Sequence, residues 1–437
     1  MPTLFRLLVP SYQLLSLLPC GNAGSTTVAF TSLLRTTYFS GRSLSAQKQP
    51  LTIRDKHASS LVAKAVVDVS GIPTADTISD PAYIEAVPWI RHFDVPVPKS
   101  TSPSGTASVS YIYWKAKNTG SMKPASLPIL LIPGFDSSCL EFRRLGPKLA
   151  AEGINVYAVD LLGFGFTQYE NIEDFSAQAK VNTLQNFWKA LHAKDDDDSY
   201  SRNFVVAGAS LGGAAAIEFA AAAAANVENG SNIGDNTENP VKGMVLIDAQ
   251  GFVDGVGPMA SLPGPLAKIG IQVLKSVPLR NSANQMSYFD KETYATEDAL
   301  KIGRLHCLRP GWENALLNYM LSGGFSPSRK VGLCDMPTLV LWGRQDGILN
   351  GEEFATKFVA ELPNAKLKWI EECGHVPHLE QPAMTAREIA EFLRSEEFDL
   401  WGERTTFSTG NFDLSGFTND IFSWFQKATS SLEASRR

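Results

Sequence analysis

The run Phe204-Val-Val-Ala-Gly208-Ala-Ser210-Leu-Gly212-Gly213 constrains this chain more than any other stretch. Phe204, Val205 and Val206 form a continuous apolar, β-branched segment, the pattern of a strand buried on both faces of a parallel sheet. The pattern stops at Gly208-Ala-Ser210-Leu-Gly212 and passes into an alanine-rich helix over 214–225. A G-x-S-x-G turn between strand and helix strains the serine backbone and lifts its side chain above the sheet edge. Glycine on either side allows the close approach that such a turn demands. The helix that follows directs its positive end at the same spot, where acyl transfer builds negative charge. A glycine-rich turn without chemistry is the competing reading, and the rest of the chain decides between them.

The flanking segments repeat the strand-then-helix alternation. Residues 129–132 form a compact apolar strand that ends at Pro133-Gly134-Phe135-Asp136-Ser137-Ser138, with a helix expected over 139–152. Residues 154–159 form the next strand, ending at Asp160-Leu-Leu-Gly163-Phe-Gly165. Apolar residues at helical spacing over 175–192 supply the crossover to the Ser210 strand. Residues 241–247 form another strand, followed by Asp248. Upstream, 89–95 and 107–115 alternate as half-exposed strands, and 58–68 is expected to form a short helix. This order predicts an α/β fold with a mostly parallel sheet flanked by helices. Backbone amides of Phe135 and Leu211, one on each loop, are then placed to hold an oxyanion.

Composition excludes several classes. The net charge is −6, so a basic nucleic-acid surface is not supported. The five cysteines are scattered without a C-x-x-C pair, which argues for reduced thiols over a disulfide framework or a structural zinc site. No apolar run is long enough to span a membrane. Residues 1–54 carry Arg6, Arg35, Arg42, Lys48 and Arg54, no Asp or Glu, and many hydroxyl residues, the composition of an organelle transit leader. Loss of those five positive charges would take the net charge from −6 to −11. The apolar stretch 7–18 offers a secretory alternative, interrupted by Pro10, Ser11 and Gln13. The acidic run 195–198 reads as a solvated loop, and 226–240 as a polar surface loop whose Asn229-Gly-Ser231 glycosylation pattern matters only in a secreted protein.

With these motifs in view, the chain resembles the α/β-hydrolase superfamily, and within it the capped, plastid-type esterase and lipase group. The matching residues are Pro133-Gly134-Phe135, Asp160-Leu-Leu-Gly163-Phe-Gly165 and Gly208-Ala-Ser210-Leu-Gly212. Pro133 departs from the histidine that many relatives carry there. The resemblance implies an acid after a later strand and a histidine near the C-terminus. Strand 338–342 is followed by Gly343-Arg-Gln-Asp346, and strand 365–370 by Cys373-Gly-His375-Val-Pro377-His378-Leu-Glu380. Serine needs a base to take its proton, histidine titrates near working pH, and a carboxylate fixes the imidazole tautomer. The expected catalytic set is therefore Ser210, His375 and Asp346, with Phe135 and Leu211 as the oxyanion hole and no cofactor or metal. His378 and Asp248 are the rival histidine and acid, and Asp160 is read as structural.

Residues 249–332 fall where the family carries a cap, after the sixth expected strand. Helices are expected over 266–277, 296–307 and 312–321. Phe252, Met259, Tyr288, Phe289, Trp312, Tyr319, Met320 and Phe325 suit a lid over a greasy pocket, although most must pack the cap onto the sheet. Arg304-Leu-His306-Cys307 is a further cluster within it, read as structural. The expected organisation is a leader (1–54), an N-terminal extension (55–87), a hydrolase core (88–248 and 333–398), the cap (249–332) and a C-terminal extension (399–437). In the last, 413–434 carries an apolar stripe that suits either a membrane surface or the protein's own.

Taken together, the residues predict a plastid serine hydrolase of a small hydrophobic ester, a prenyl-type ester among the candidates, with peripheral membrane contact as an option. A carbon–carbon hydrolase or acyltransferase using the same three residues, or a ligand-binding receptor on the same fold, are the alternatives. An epoxide hydrolase or dehalogenase would need a carboxylate in place of Ser210.

Overall fold

The computed structural model describes residues 64–118, 127–192, 203–228, 239–396 and 398. The leader 1–54, the acidic run 195–198, the glycosylation pattern and the stripe 413–434 lie outside the described residues.

Among the described residues, nine strands form one sheet: β1 (Lys64–Val66), β2 (Arg91–Pro96), β3 (Thr106–Trp114), β4 (Ile129–Ile132), β5 (Val156–Val159), β6 (Phe204–Ala209), β7 (Val241–Ile247), β8 (Thr338–Gly343) and β9 (Ala365–Ile370). Their spatial order is β1-β2-β3-β5-β4-β6-β7-β8-β9. The β1/β2, β2/β3 and β3/β5 pairs are antiparallel; every pair from β5/β4 to β8/β9 is parallel. The α/β reading therefore holds. The segment 58–68 differs from expectation: Lys64–Val66 is an edge strand on β2, because the free edge of β2 offers it ladder partners that an isolated helix would lack. That addition makes the strand before the cap the seventh in chain order rather than the sixth.

The central strands β4 to β8 are buried along their whole length, with side chains alternating between the two faces. Leu130, Ile132, Phe204 and Val206 join one apolar cluster, which also takes in the crossover helix Ala177–His192 and most of the cap. Ile129, Leu131, Val205 and Ala207 join the other, with helix Pro382–Leu393 beneath. The expected helix 139–152 is two pieces, a 3-10 turn at Cys139–Phe142 and a helix at Gly146–Ala151. Pro147 in the first turn of the second piece suits a start there and cannot continue a helix from above.

β4 lies between β5 and β6, so the connections leave it in opposite directions and a crevice opens beyond its C-terminal end. Register pairs Ile132 with Gly208, which brings the loop after β4 and the turn after β6 side by side. Their contact is backbone on backbone. A Cβ on Gly212 would stand 2.2 Å from the carbonyl oxygen of Ile132, and one on Gly208 would stand 2.0 Å from that of Gly212.

Asp160, at the end of β5, holds the neighbouring loops. It is fully buried and accepts hydrogen bonds from the Ser110 hydroxyl on β3, from the Cys139 amide and, at 2.8 Å, from the Phe166 amide. Burial raises its pKa above the usual carboxylate range despite these donors. The structural reading of Asp160 agrees with this placement. Replacing Asp160 with Ala orphans three buried donors and is expected to destabilise the protein by about 3 kcal/mol or more. Urea unfolding of Asp160→Ala against wild type measures this.

Candidate active site

Ser210 sits at the tip of the β6 turn with φ of 51°, a left-handed conformation that a serine adopts only under constraint. Its amide donates to the Ile247 carbonyl at 3.0 Å, and its own carbonyl accepts from Gly213 at 2.9 Å and Gln250 at 2.8 Å. Those bonds tie the turn to β7 on one side and to helix Leu211–Glu228 on the other. Leu211 opens that helix, so its N–H has no intrahelical partner. Across the crevice, the Gly134 amide is engaged by the Glu141 carboxylate at 2.9 Å. The next amide of the loop, that of Phe135, has no partner among the described residues.

Asp346 follows β8 and His375 follows β9, at the same edge of the sheet. His375 Nδ1 and Asp346 Oδ2 are 2.8 Å apart, with both side chains at most 5 % exposed. A carboxylate can only accept here, so Nδ1 carries the proton and Nε2 is the basic nitrogen. Asp346 also accepts from the amides of Ile348 at 2.7 Å and Leu349 at 3.0 Å, and from the Trp342 indole at 3.1 Å. Burial works against its charge, but the His375 ring and these amides outweigh it and hold the carboxyl below its ordinary value.

Asp248 stands beside this pair without taking the ring. One of its oxygens, an Asp346 oxygen and a His375 nitrogen lie within 4.8 Å of one another. Oδ1 of Asp248 accepts from the Gly343 amide at 3.0 Å. Burial, followed by the neighbouring Asp346 carboxylate, raises Asp248 well above the ordinary carboxylate value. His378 does not take the place beside Asp346; it pairs with Glu141, its Nε2 2.9 Å from Oε1.

The cap closes over this edge. Its helices are Gly264–Lys275, Val277–Ser287, Lys291–Tyr294, Glu297–Ile302 and Trp312–Leu321. Helix Val277–Ser287 is absent from the sequence reading, because Ser276 and Pro278 resemble a turn and its moderate amphipathicity hides it. It matters: the His375 amide donates to the Ser287 carbonyl at 2.8 Å, and Glu380 accepts from Gly374 at 2.7 Å and Asp290 at 2.7 Å. The loop bearing His375 is thus fastened to the cap.

Ser210, Leu211, Phe135 and His375 all face one cavity of about 520 Å³. Its cap side is largely aliphatic, with Leu274, Leu279, Met286 and Met320, and Leu349 and Phe354 close the far side. Most of the cap aromatics do something else. Trp312, Tyr319 and Phe325 are buried in the core, Phe252 packs on Phe358 with ring centroids 4.6 Å apart, and Phe289 is exposed. Tyr288 lines the cavity.

The His306 and Cys307 cluster meets Asp136 of the β4 loop. Asp136 is fully buried, ion-paired with Arg280, and accepts from the Trp312 indole at 2.8 Å and from His306 at 3.0 Å. Asp136, His306 and Cys307 have ligand spacing, but Arg280 already neutralises the carboxylate, so the cluster is an ion-pair node rather than a cation site. It ties three cap elements, those bearing Arg280, His306 and Trp312, to the loop that carries Phe135. No sequence signal joins Asp136 to His306, which are 170 positions apart.

These observations can be set beside known proteins. The alpha/beta hydrolase family model matches residues 129–388. The chain belongs to the alpha/beta hydrolase family. It is 33 % identical over 265 residues to the alpha/beta hydrolase domain-containing protein VTE7 of Arabidopsis thaliana, covering 61 % of this chain and 73 % of that one. It is 26 % identical to Lipase 3 of a Moraxella species, covering 61 % and 76 % respectively. Among solved structures, a thermophilic esterase from Thermogutta terrifontis overlays with a TM-score of 0.51 at 19 % identity, over 69 % of this chain and 98 % of that one, which speaks to the fold alone. The protein is accordingly a hydrolase of the alpha/beta family.

The node around Asp136 generates a pH prediction. Burial opposes the His306 proton, but Cys307 and Asp136 outweigh it and push the pKa from 6.5 to about 10. The folded value exceeds the unfolded one, so the stabilisation is complete below about pH 6.5 and fades as pH rises toward 10. Buried Lys180, lowered to about 7 by desolvation, acts in the opposite direction but is common to both proteins compared. The difference in unfolding free energy between wild type and His306→Gln should therefore shrink steadily from pH 6.5 to 10. Urea midpoints across that range check it.

Proposed function

We propose that this hydrolase cleaves a hydrophobic carboxylic ester through an acyl-enzyme on Ser210. The observation that carries the reading is the 2.8 Å bond from His375 to Asp346 at the mouth of the cavity that Ser210 faces. His375 Nε2 takes the Ser210 proton as Oγ attacks the ester carbonyl, and the Asp346 carboxylate stabilises the imidazolium that results. The amides of Phe135 and Leu211 receive the negative oxygen, each worth about 10²–10³ in rate in comparable sites. His375 then returns the proton to the departing alcohol. Water, activated by the same nitrogen, releases the acid. No step calls for a metal or cofactor.

The aliphatic wall supports a long or branched hydrocarbon group on the substrate, since a flexible chain gains contact with Leu, Met and Ile side chains without fixed ring geometry. A plastid location is part of the proposal. It is supported by the acid-poor leader and by a plant relative at 33 % identity. Contact with a membrane surface through the C-terminal stripe is a further element of the proposal, resting on sequence pattern alone.

Three measurements test the reading. A fluorophosphonate probe should label wild type and fail to label Ser210→Ala, whose turnover should fall by about 10³–10⁶-fold. Asp346→Asn, which leaves the ring in the wrong tautomer, should lower kcat by about 10⁴-fold. An ester panel should favour long hydrocarbon esters. Preference for short polar acyl groups would overturn the substrate class, and release of a carbon–carbon cleavage product instead of an alcohol would replace the reaction.

A further inference from the structure

We infer that Glu141 and His378 form a positioning pair that aims the oxyanion hole. This goes a step beyond the Ser210 reading and rests on it. Glu141 lies on the 3-10 turn Cys139–Phe142, directly after the loop that carries Phe135. Its two oxygens are divided between two partners: Oε2 accepts the Gly134 amide at 2.9 Å, and Oε1 meets His378 Nε2 at 2.9 Å. The place is next to the reacting centre. A Cβ built on Gly134 would lie 3.4 Å from the Ser210 Cβ and 3.5 Å from Glu141 Oε1, and both Glu141 and His378 face the cavity.

The His378 ring has no other polar contact among the described residues. It is 1 % exposed, packs against Phe142 at 5.3 Å between centroids, and leaves Nδ1 without a hydrogen bond. A buried imidazole kept in this state serves the carboxylate. Glu141 needs that service, because burial opposes its charge; His378, the Ser137 side chain and the Gly134 amide together hold it below the ordinary glutamate range.

Two physical requirements meet in this arrangement. Gly134 is the most conformationally free residue of the loop, and its flexibility would let the following amide wander. Anchoring the Gly134 N–H fixes the peptide plane that enters that residue, so only the two dihedrals of Gly134 itself are left to turn the next plane, which ends in the Phe135 N–H. A carboxylate beside a forming oxyanion is also repulsive, and the His378 N–H on the far oxygen draws its charge away from the carbonyl site. The same short helix, Pro377–Glu380, reaches the His375 loop through Glu380 and Gly374. One element therefore braces both halves of the site.

The test uses the full-length protein with a long-chain ester and an alkyl trifluoromethyl ketone, whose adduct presents an oxyanion. Glu141→Ala should lower kcat by about 10²-fold with KM within about threefold, and weaken the ketone by a similar factor. Glu141→Gln should recover most of the loss, since its amide oxygen can still accept from Gly134. His378→Ala should be impaired, and adding Glu141→Gln to it should restore activity by removing the uncompensated charge. That reversal is one a merely structural role would not produce. Unchanged kcat in Glu141→Ala, or a rise in KM that accounts for the loss, overturns the proposal. If Glu141→Ala does not fold, the pair His378→Ala and His378→Ala/Glu141→Gln decides on the same criterion. Failure of wild type to take the fluorophosphonate instead overturns the Ser210 reading on which the positioning role rests.

Discussion

Two polypeptide backbones meet at the end of β4 and the turn after β6, and everything chemical about the molecule follows from how close they come. Gly212 stands where any side-chain carbon would collide with the Ile132 carbonyl, and Gly208 where it would collide with Gly212 itself. That approach forces the intervening serine into a left-handed conformation and holds it there through Ile247 and Gln250. It also sets the opening amide of helix Leu211–Glu228 beside the Pro133-Gly134-Phe135 loop. Parallel strands supply the rest, because each of β7, β8 and β9 ends at the same edge and delivers its following loop there. The constraint is steric, and it is stronger than any single hydrogen bond that decorates it.

Around that contact the protein spends buried charge in pairs. Asp346 is held ionised by His375 and backbone amides, Glu141 by His378, and Asp136 by Arg280 and His306. Asp248 and Asp160 show the opposite outcome: burial without a directly bonded cation raises them. The contrast between Asp248 and Asp346 is instructive, since the two carboxyls are neighbours and shift in opposite directions. Like charges so close in a buried setting oppose each other's ionisation, and the imidazole bonded to Asp346 favours that carboxyl. The cap takes part in this network through Asp136 and Glu380, so the lid and the reactive edge are electrostatically one piece.

Much of the site was legible from residues alone. Strand, turn and helix around Ser210, an acid after β8 and a histidine after β9 are local patterns, each placed by its own strand. What escaped was pairing over distance. His378 read as a packing residue because its partner Glu141 lies 237 positions away. His306 read as structural, as it is, but nothing linked it to the β4 loop. The cap aromatics suggest pocket wall, whereas aliphatic side chains such as Leu274, Leu279, Met286, Ile302 and Met320 take most of that role. The short strand at Lys64–Val66 was read as helix because a three-residue edge has no period to detect.

The order of apolar runs and glycine turns was enough to specify a parallel α/β sheet and to mark Ser210, Asp346 and His375, because strand burial and turn strain are written in neighbouring residues. Which carboxylate receives the imidazole, which loop amide is left without a partner, and what lines the cavity were decided only in three dimensions. Those outcomes depend on distances between segments remote in the chain, and on the balance of desolvation against charge that only a packed interior creates.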